Sequence, residues 1–261
     1  MIKAVFLDFD GTLFSHRSVS IPRSAKKALA GLRENGIKVA LSTGRHVLEL
    51  ERMETLKDVF IDAYITMNGA YTYDEEGIIC DFPITREDVE TMYAWLMEHD
   101  LAVEFLEDRL AYVNRVNDIV IRSQDMIHEP VPTVYPLERI LSHPIYQFIP
   151  FGIRQAEDIV AALRHVKVTS WIENDALDLV HDQAGKTAGV KAVLEKWNIP
   201  AEEAMAVGDA MNDAGMLKYC GIGAAMGNGS AALKEIADYV TGDIDEDGLY
   251  HLFCHYGMIS E

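Results

Sequence analysis

At both of its ends the chain alternates short β-forming runs with helical runs, and that order constrains its fold more than any other feature. Ile2-Lys3-Ala4-Val5-Phe6-Leu7 is a mostly apolar run that stops at the polar segment Asp8-Phe9-Asp10-Gly11-Thr12, the pattern of a strand running into a loop. Pro22 suits the first position of a helix, with Ser20 as its expected cap. Ala25, Leu29 and Leu32 share one face of that helix, which should stop by Asn35-Gly36. A second strand over 37–41 ends at Ser42-Thr43-Gly44-Arg45, a helix starts near His46, and a third strand over 63–66 ends at Met67-Asn68-Gly69. Strand, helix, strand, helix, strand in this order implies parallel pairing through right-handed crossovers. The far end repeats the theme, with helices expected over 187–197, 213–218 and 230–237 and strands over 204–207, 221–223 and 239–241.

The middle of the chain reads differently. Helical patterns over 87–99 and 155–165 are flanked by short β-like segments at 102–105, 111–113, 146–149, 166–170 and 177–180, and Pro130, Pro132 and Pro136 break the stretch between them. Helices beside hairpin-like strand pairs imply an α+β insertion rather than more doubly wound sheet. The expected organisation is a discontinuous outer α/β domain, residues 1–81 plus 182–261, interrupted by an inserted domain over 82–181. Trp95 and Trp171 in the insertion are expected in or near its core.

Composition narrows the function. The 261 residues carry 42 acidic against 23 Lys and Arg side chains, a formal charge of −19. A nucleic acid or an anionic membrane would be repelled, whereas a local positive site can still hold one phosphate group. No obligate protein partner is indicated. Cys80, Cys220 and Cys254 form no C-x-x-C pair, which argues against a zinc site and fits a reducing compartment. Asp8 and Asp10 interrupt the N-terminal apolar run too early for a signal peptide, so the expected location is cytoplasmic.

In open parallel sheets ligands bind beyond the carboxyl ends of the strands. Asp8 and Asp10, Ser42 and Thr43, Asn68, and Asp209 with Asn212 and Asp213 all fall just past expected strand ends. That set matches what phosphate-ester cleavage demands. A carboxylate attacking a phosphate is repelled by about 4 kcal/mol per pair of unit charges at about 4 Å and an effective dielectric near ~20. Compensation requires a hard cation with oxygen ligands, a lysine, and hydroxyl or backbone donors around the phosphate. Each has a candidate: the aspartates, Lys186, and Ser42 or Thr43. Taken singly, these residues have ordinary readings as well. Asp8 and Asp10 fit a solvated turn, Asp209, Asp213, Ser42 and Thr43 fit helix caps, Lys186 fits a surface position, and Arg45 fits a plain ion pair.

Asp8-Phe9-Asp10-Gly11-Thr12 resembles the first motif of the haloacid dehalogenase-like (HAD) superfamily. Leu41-Ser42-Thr43-Gly44-Arg45 looks like the second motif, Lys186 matches the third, and Gly208-Asp209-Ala210-Met211-Asn212-Asp213 matches the fourth. Their order and the insertion after the third strand resemble the Cof-type subfamily. The resemblance implies a Rossmann-like core with an inserted cap, and a Mg²⁺-dependent phosphatase of small phosphorylated metabolites, sugar phosphates foremost. It implies Asp8 as nucleophile and metal ligand, and Asp10 as general acid and then base, with its backbone carbonyl on the metal. Asp209 would complete the metal ligands, with Asp213 supporting the metal directly or through water. Phe9 N–H, Ser42, Thr43, Gly44, Lys186 and Asn212 would hold the phosphate, with Arg45 and Asn68 reaching toward the substrate. The insertion would close over the reaction and read the leaving group. Passage of the phosphoryl group to a sugar hydroxyl, as in a phosphomutase, and a non-catalytic sugar-phosphate sensor stand as alternatives.

Three competing motifs fail on spacing. Val180 stands where the first glycine of a P-loop ending in Gly185-Lys186-Thr187 belongs. Gly221 to Gly227 is one residue too long for a dinucleotide fingerprint. The EF-hand-like start at Asp243 reaches Cys254 where a glutamate is required, so that segment reads as an acidic turn.

Overall fold

The computed structural model describes residues 1–127, 130–171 and 175–260, without the side chains of residues 127 and 169–171. The chain forms two compact units, one of Met1–Arg45, Glu49–Asp81 and Gly185–Glu261, the other of His46–Leu48 and Phe82–Ala184.

The first unit is a mixed, mainly parallel sheet between two helical layers. Its strands are β1 (Ala4–Asp8), β2 (Lys38–Ser42), β3 (Ala63–Thr66), β4 (Tyr71–Asp74), β5 (Gly77–Asp81), β11 (Ala204–Gly208), β12 (Ile222–Ala225) and β13 (Tyr239–Val240). They lie in the order β13-β12-β11-β1-β2-β3-β4-β5, with only β4 running against the others. Side chains alternate across the sheet. Val5, Leu7 and Leu41 face one way, into a core shared with helices α1 (Arg23–Glu34) and α9 (Gly248–His255). Ala4, Phe6, Ala40, Ala63 and Ala206 face the other, against α6 (Lys186–Trp197), α7 (Ala214–Tyr219) and α8 (Ala231–Ile236). The remaining helix of this region, α2, runs over Val47–Arg52.

The second unit has a five-stranded sheet in the order β7-β6-β8-β10-β9, antiparallel throughout. Its strands are β6 (Ala102–Leu106), β7 (Ala111–Val113), β8 (Gln147–Phe151), β9 (Val166–Trp171) and β10 (Ala176–His181). Helices α3 (Arg86–Leu96) and α5 (Ile153–Ala162) cover one face, burying Met92, Leu96, Ala156 and Ile159 against Val103, Phe105, Phe148 and Leu179. Trp95 packs at the rim of this core; the Trp171 side chain lies outside the described residues.

Three features depart from the sequence reading. Ser20 does not cap α1: Pro22 takes the cap position with no side-chain bond, because Ser20 is bridged to Ser15 in a tight loop, N to O at 3.2 and 3.0 Å. The acidic turn at Asp243 leads straight into α9, whose Leu249, Leu252 and Phe253 are drawn into helix by burial against α1. A further helix, α4 (Asp118–Ile127), precedes the prolines.

Candidate active site

The order in which the parallel strands are laid down reverses between β1 and β11: β2 and β3 follow β1 on one side, β12 and β13 follow β11 on the other. A crevice opens beyond strand ends at such a reversal. Asp8 closes β1 beside Ser42 of β2, and Asp209 follows directly on β11. Gly11 lets the two loops meet. It has φ +81°, and a Cβ there would come within 2.4 Å of the Asp209 carboxylate, so glycine alone fits both the backbone and the contact.

Asp8, Asp209 and Asp213 each offer a carboxylate oxygen within 4.8 Å of the others. Lys186, buried to 4 % exposure at the start of α6, donates to Asp8 Oδ1 at 2.5 Å and to Asp213 Oδ1 at 2.6 Å. The second Asp213 oxygen accepts the backbone N–H groups of Asp209 and Ala210 at 3.0 and 3.2 Å, clamping the loop after β11. Burial pushes the Asp8 carboxyl well up; Lys186 opposes the shift, while Asp213 and Asp209 reinforce it. Burial and the charge of Asp213 raise Asp209 to about 6. For Lys186 burial works against the charge, but the two carboxylates outweigh it and raise its pKa. Three carboxylates against one ammonium leave two negative charges in excess. An all-oxygen donor set under that strain is suited to a hard divalent cation, which would let all three ionise.

The Asp10 side chain is outside that acidic trio. It accepts two hydrogen bonds from Arg45, Nε to Oδ2 at 2.9 Å and Nη2 to Oδ1 at 2.8 Å, and lies 3.1 Å from His16 Nε2. Burial alone would raise its pKa, but the hydrogen bonds from His16 and Arg45 prevail and hold it at about 2. Arg45 also reaches Glu49 at 3.6 Å. Its expected ion-pair reading is therefore met at Asp10 and Glu49. His16 went unnoticed in the sequence, since a lone histidine in a loop carries no spacing signal.

Among the remaining expected residues, Thr43 is buried and its Oγ1 accepts the Arg45 N–H at 3.1 Å. The Asn68 N–H donates to the Thr43 carbonyl at 3.1 Å, and Asn68 adopts a left-handed φ of 53°. That ties the β3 turn to the β2 turn. Ser42 Oγ is buried with no hydrogen-bond partner among the described residues, and Thr12 Oγ1 shares that condition. The motif reading gives Thr12 no role. The Phe9 ring is fully buried and stacks on Phe14 at 5.2 Å, so only its backbone can serve the site. Gly44 is partly exposed and Asn212 is exposed.

A family model described as haloacid dehalogenase-like hydrolase matches residues 5–253. The chain is 28% identical over 258 residues, 98% of each chain, to the "Putative phosphatase YkrA" of Bacillus subtilis. Its structure resembles that of the HAD phosphatase BT1666 of Bacteroides thetaiotaomicron, with a TM-score of 0.89, 30% identity, and 99% and 96% of the two chains covered. It also resembles the HAD subclass IIB sugar phosphatase BT4131, with a TM-score of 0.84, 31% identity, and 98% and 100% covered.

Proposed function

The chain belongs to the haloacid dehalogenase-like hydrolases and is a phosphatase of their Cof type; from that premise we propose that it hydrolyses small sugar phosphates with Mg²⁺, through a phosphorylated Asp8. The observation that carries this reading is the meeting of Asp8, Asp209, Asp213 and the buried Lys186 at the reversal of strand order. The preference for sugar phosphates draws on the likeness to a sugar phosphatase, and the second unit is proposed as the cap that reads the leaving group. Three unpaired cysteines, Cys80, Cys220 and Cys254, fit a cytoplasmic location.

In this reading Asp8 and Asp209 would hold Mg²⁺, with Asp213 supporting it directly or through water, and the ion would supply positive charge against the carboxylates and the incoming phosphate. Lys186 lies against the reacting carboxylate and supplies a fixed positive charge on the same side. An Asp8 oxygen forms a bond to phosphorus as the bond from phosphorus to the ester oxygen breaks, and Asp10 gives that oxygen a proton. Water then attacks the aspartyl phosphate, Asp10 takes its proton, and phosphate leaves Asp8. Asp10 is ionised on Arg45 in this structure, the state required of the base. Its acid role requires Arg45 to release it when the ester arrives.

A phosphate-release screen over hexose and pentose phosphates tests the reading. Turnover with Mg²⁺, its loss on chelation and its recovery on readdition are expected, and Asp8→Asn should lower kcat at least ~10³-fold with the fold intact. Metal-independent release, or near-normal turnover by Asp8→Asn, would overturn it. Isomerised sugar phosphate without free phosphate would identify a mutase instead.

A further inference from the structure

The turn after β1 brings a histidine onto Asp10, the group that the proposed mechanism uses first as acid and then as base. The turn is held by its own backbone. Phe14 N–H donates to the Phe9 carbonyl at 2.7 Å, and Gly11 N–H donates to the Phe14 carbonyl at 2.9 Å. It is also pinned to the segment before α9. Ser15 Oγ donates to Asp245 Oδ1 at 2.7 Å. The Asn228 side chain donates to the Gly11 carbonyl at 2.7 Å and accepts the Ile244 N–H at 3.0 Å. Phe9 and Phe14 are buried, and the Phe14 ring meets the His16 imidazole edge-on, with centroids 5.5 Å apart and planes at 87°. The imidazole therefore projects from a fixed turn, although its side chain is 64 % exposed. Packing accounts for little of a side chain so exposed; its polar contact is with Asp10.

Arg45 and His16 hold Asp10 in different ways. Arg45 engages both oxygens, Nε on Oδ2 and Nη2 on Oδ1. A cation that donates to both oxygens keeps the group ionised, because a protonated oxygen would face an N–H donor. His16 engages one oxygen. Its Nε2 lies 3.1 Å from Oδ1, and because a carboxylate only accepts, the nitrogen is the donor. One bond to Oδ1 suits the ionised group and suits equally a carboxyl whose Oδ2 carries a proton. Glu49, 3.6 Å from Arg45 Nη1, gives the guanidinium an anionic partner other than Asp10.

We propose that His16 is the positioning residue of Asp10: its Nε2–H holds Oδ1 throughout the cycle, so that Oδ2 is the oxygen that gives its proton to the departing ester oxygen and later takes one from the attacking water. Arg45 secures the resting, ionised group, and His16 aims it during the reaction. His16 acts as a neutral hydrogen-bond donor, and its charge is not required. The inference rests on the phosphatase reading, with Asp8 as nucleophile and Asp10 as acid and base.

The test measures kcat/KM with Mg²⁺ on p-nitrophenyl phosphate, phenyl phosphate and a hexose 6-phosphate, whose leaving oxygens are increasingly basic and so depend increasingly on a proton from Asp10. His16→Phe keeps a ring against Phe14 and removes the donor, whereas His16→Gln keeps an N–H donor of similar reach. His16→Phe should lower kcat/KM on the hexose phosphate about ten- to a hundredfold, the effect of a lost hydrogen bond to a charged group. The loss should shrink along the series and be at least about fivefold smaller on p-nitrophenyl phosphate. His16→Gln should recover most of the loss. Thermal melts of both variants check the fold. Equal losses across the series, no loss, or a His16→Gln protein as impaired as His16→Phe would overturn the proposal, while wild-type turnover leaves the phosphatase reading standing. A wild type inert to all three substrates overturns both.

Discussion

Lys186 opens α6, where the partial positive charge of a helix N-terminus disfavours a cation. A buried ammonium there persists only because Asp8 and Asp213 lie at hydrogen-bond distance on either side of it. The local cost is evidence of a chemical role, because a helix selected for stability alone would start with an acidic or neutral residue. Asp10 shows the opposite balance. Its carboxyl is held at about 2 against an ordinary 3.8 by His16 and Arg45. A carboxyl depressed on folding contributes stability that is present above its unfolded pKa and lost as pH falls through the folded one. Arg45→Met removes the bidentate partner and returns Asp10 toward 3.8. Its acid-unfolding midpoint, followed by near-ultraviolet circular dichroism, should therefore rise by about half a pH unit. An unchanged midpoint would mean that His16 alone holds the carboxyl.

Between elements, the approach of α6 to the sheet depends on small side chains. Ala4, Ala40, Ala63 and Ala206 line the sheet face beneath it, and Gly189 packs directly on β3 and β4. A Cβ at Gly189 would lie 2.4 Å from Ile65 Cγ2 and 2.9 Å from Thr72 Oγ1. Helix propensity alone favours Gly189→Ala by roughly 0.5–1 kcal/mol, whereas overpacking a filled core costs ~1–3 kcal/mol. The steric effect is the larger, since both neighbours sit on strands and cannot withdraw. The melting temperature of Gly189→Ala should fall by about 2–6 °C, and a rise would show that α6 can shift outward. Such a shift would also move Lys186, three residues earlier on the same helix, so a loss of kcat should accompany the loss of stability.

At the scale of the whole molecule the charge of −19 dominates. Like charges spread over a surface repel one another in the compact state, and salt screens that repulsion. The melting temperature should rise by roughly 2–5 °C between about 10 and 200 mM NaCl, measured without divalent ions so that site binding does not contribute. A flat or falling response would show that attractive ion pairs, such as Lys196 with Asp74 and Glu76, outweigh the net repulsion. Among the described residues no helix is long and apolar enough to cross a membrane.

Sequence alone determined the alternation of elements at the two chain ends and the placing of Asp8, Asp209 and Asp213 at strand ends. Strand periodicity and turn chemistry are local, so they can be read from neighbouring residues. It also set the charge of the molecule. What only the tertiary structure decided is long-range pairing. Asp10 lies on Arg45 and His16, Lys186 bridges two carboxylates 178 and 27 residues away, and Gly11 yields its space to Asp209. The helix α9 forms because α1 offers its apolar residues a partner, which no local propensity records. The second sheet was equally hidden: Glu104, Gln147 and Asp178 are ordinary strand residues until register sets them on one face of β6, β8 and β10, and register depends on contacts between distant segments.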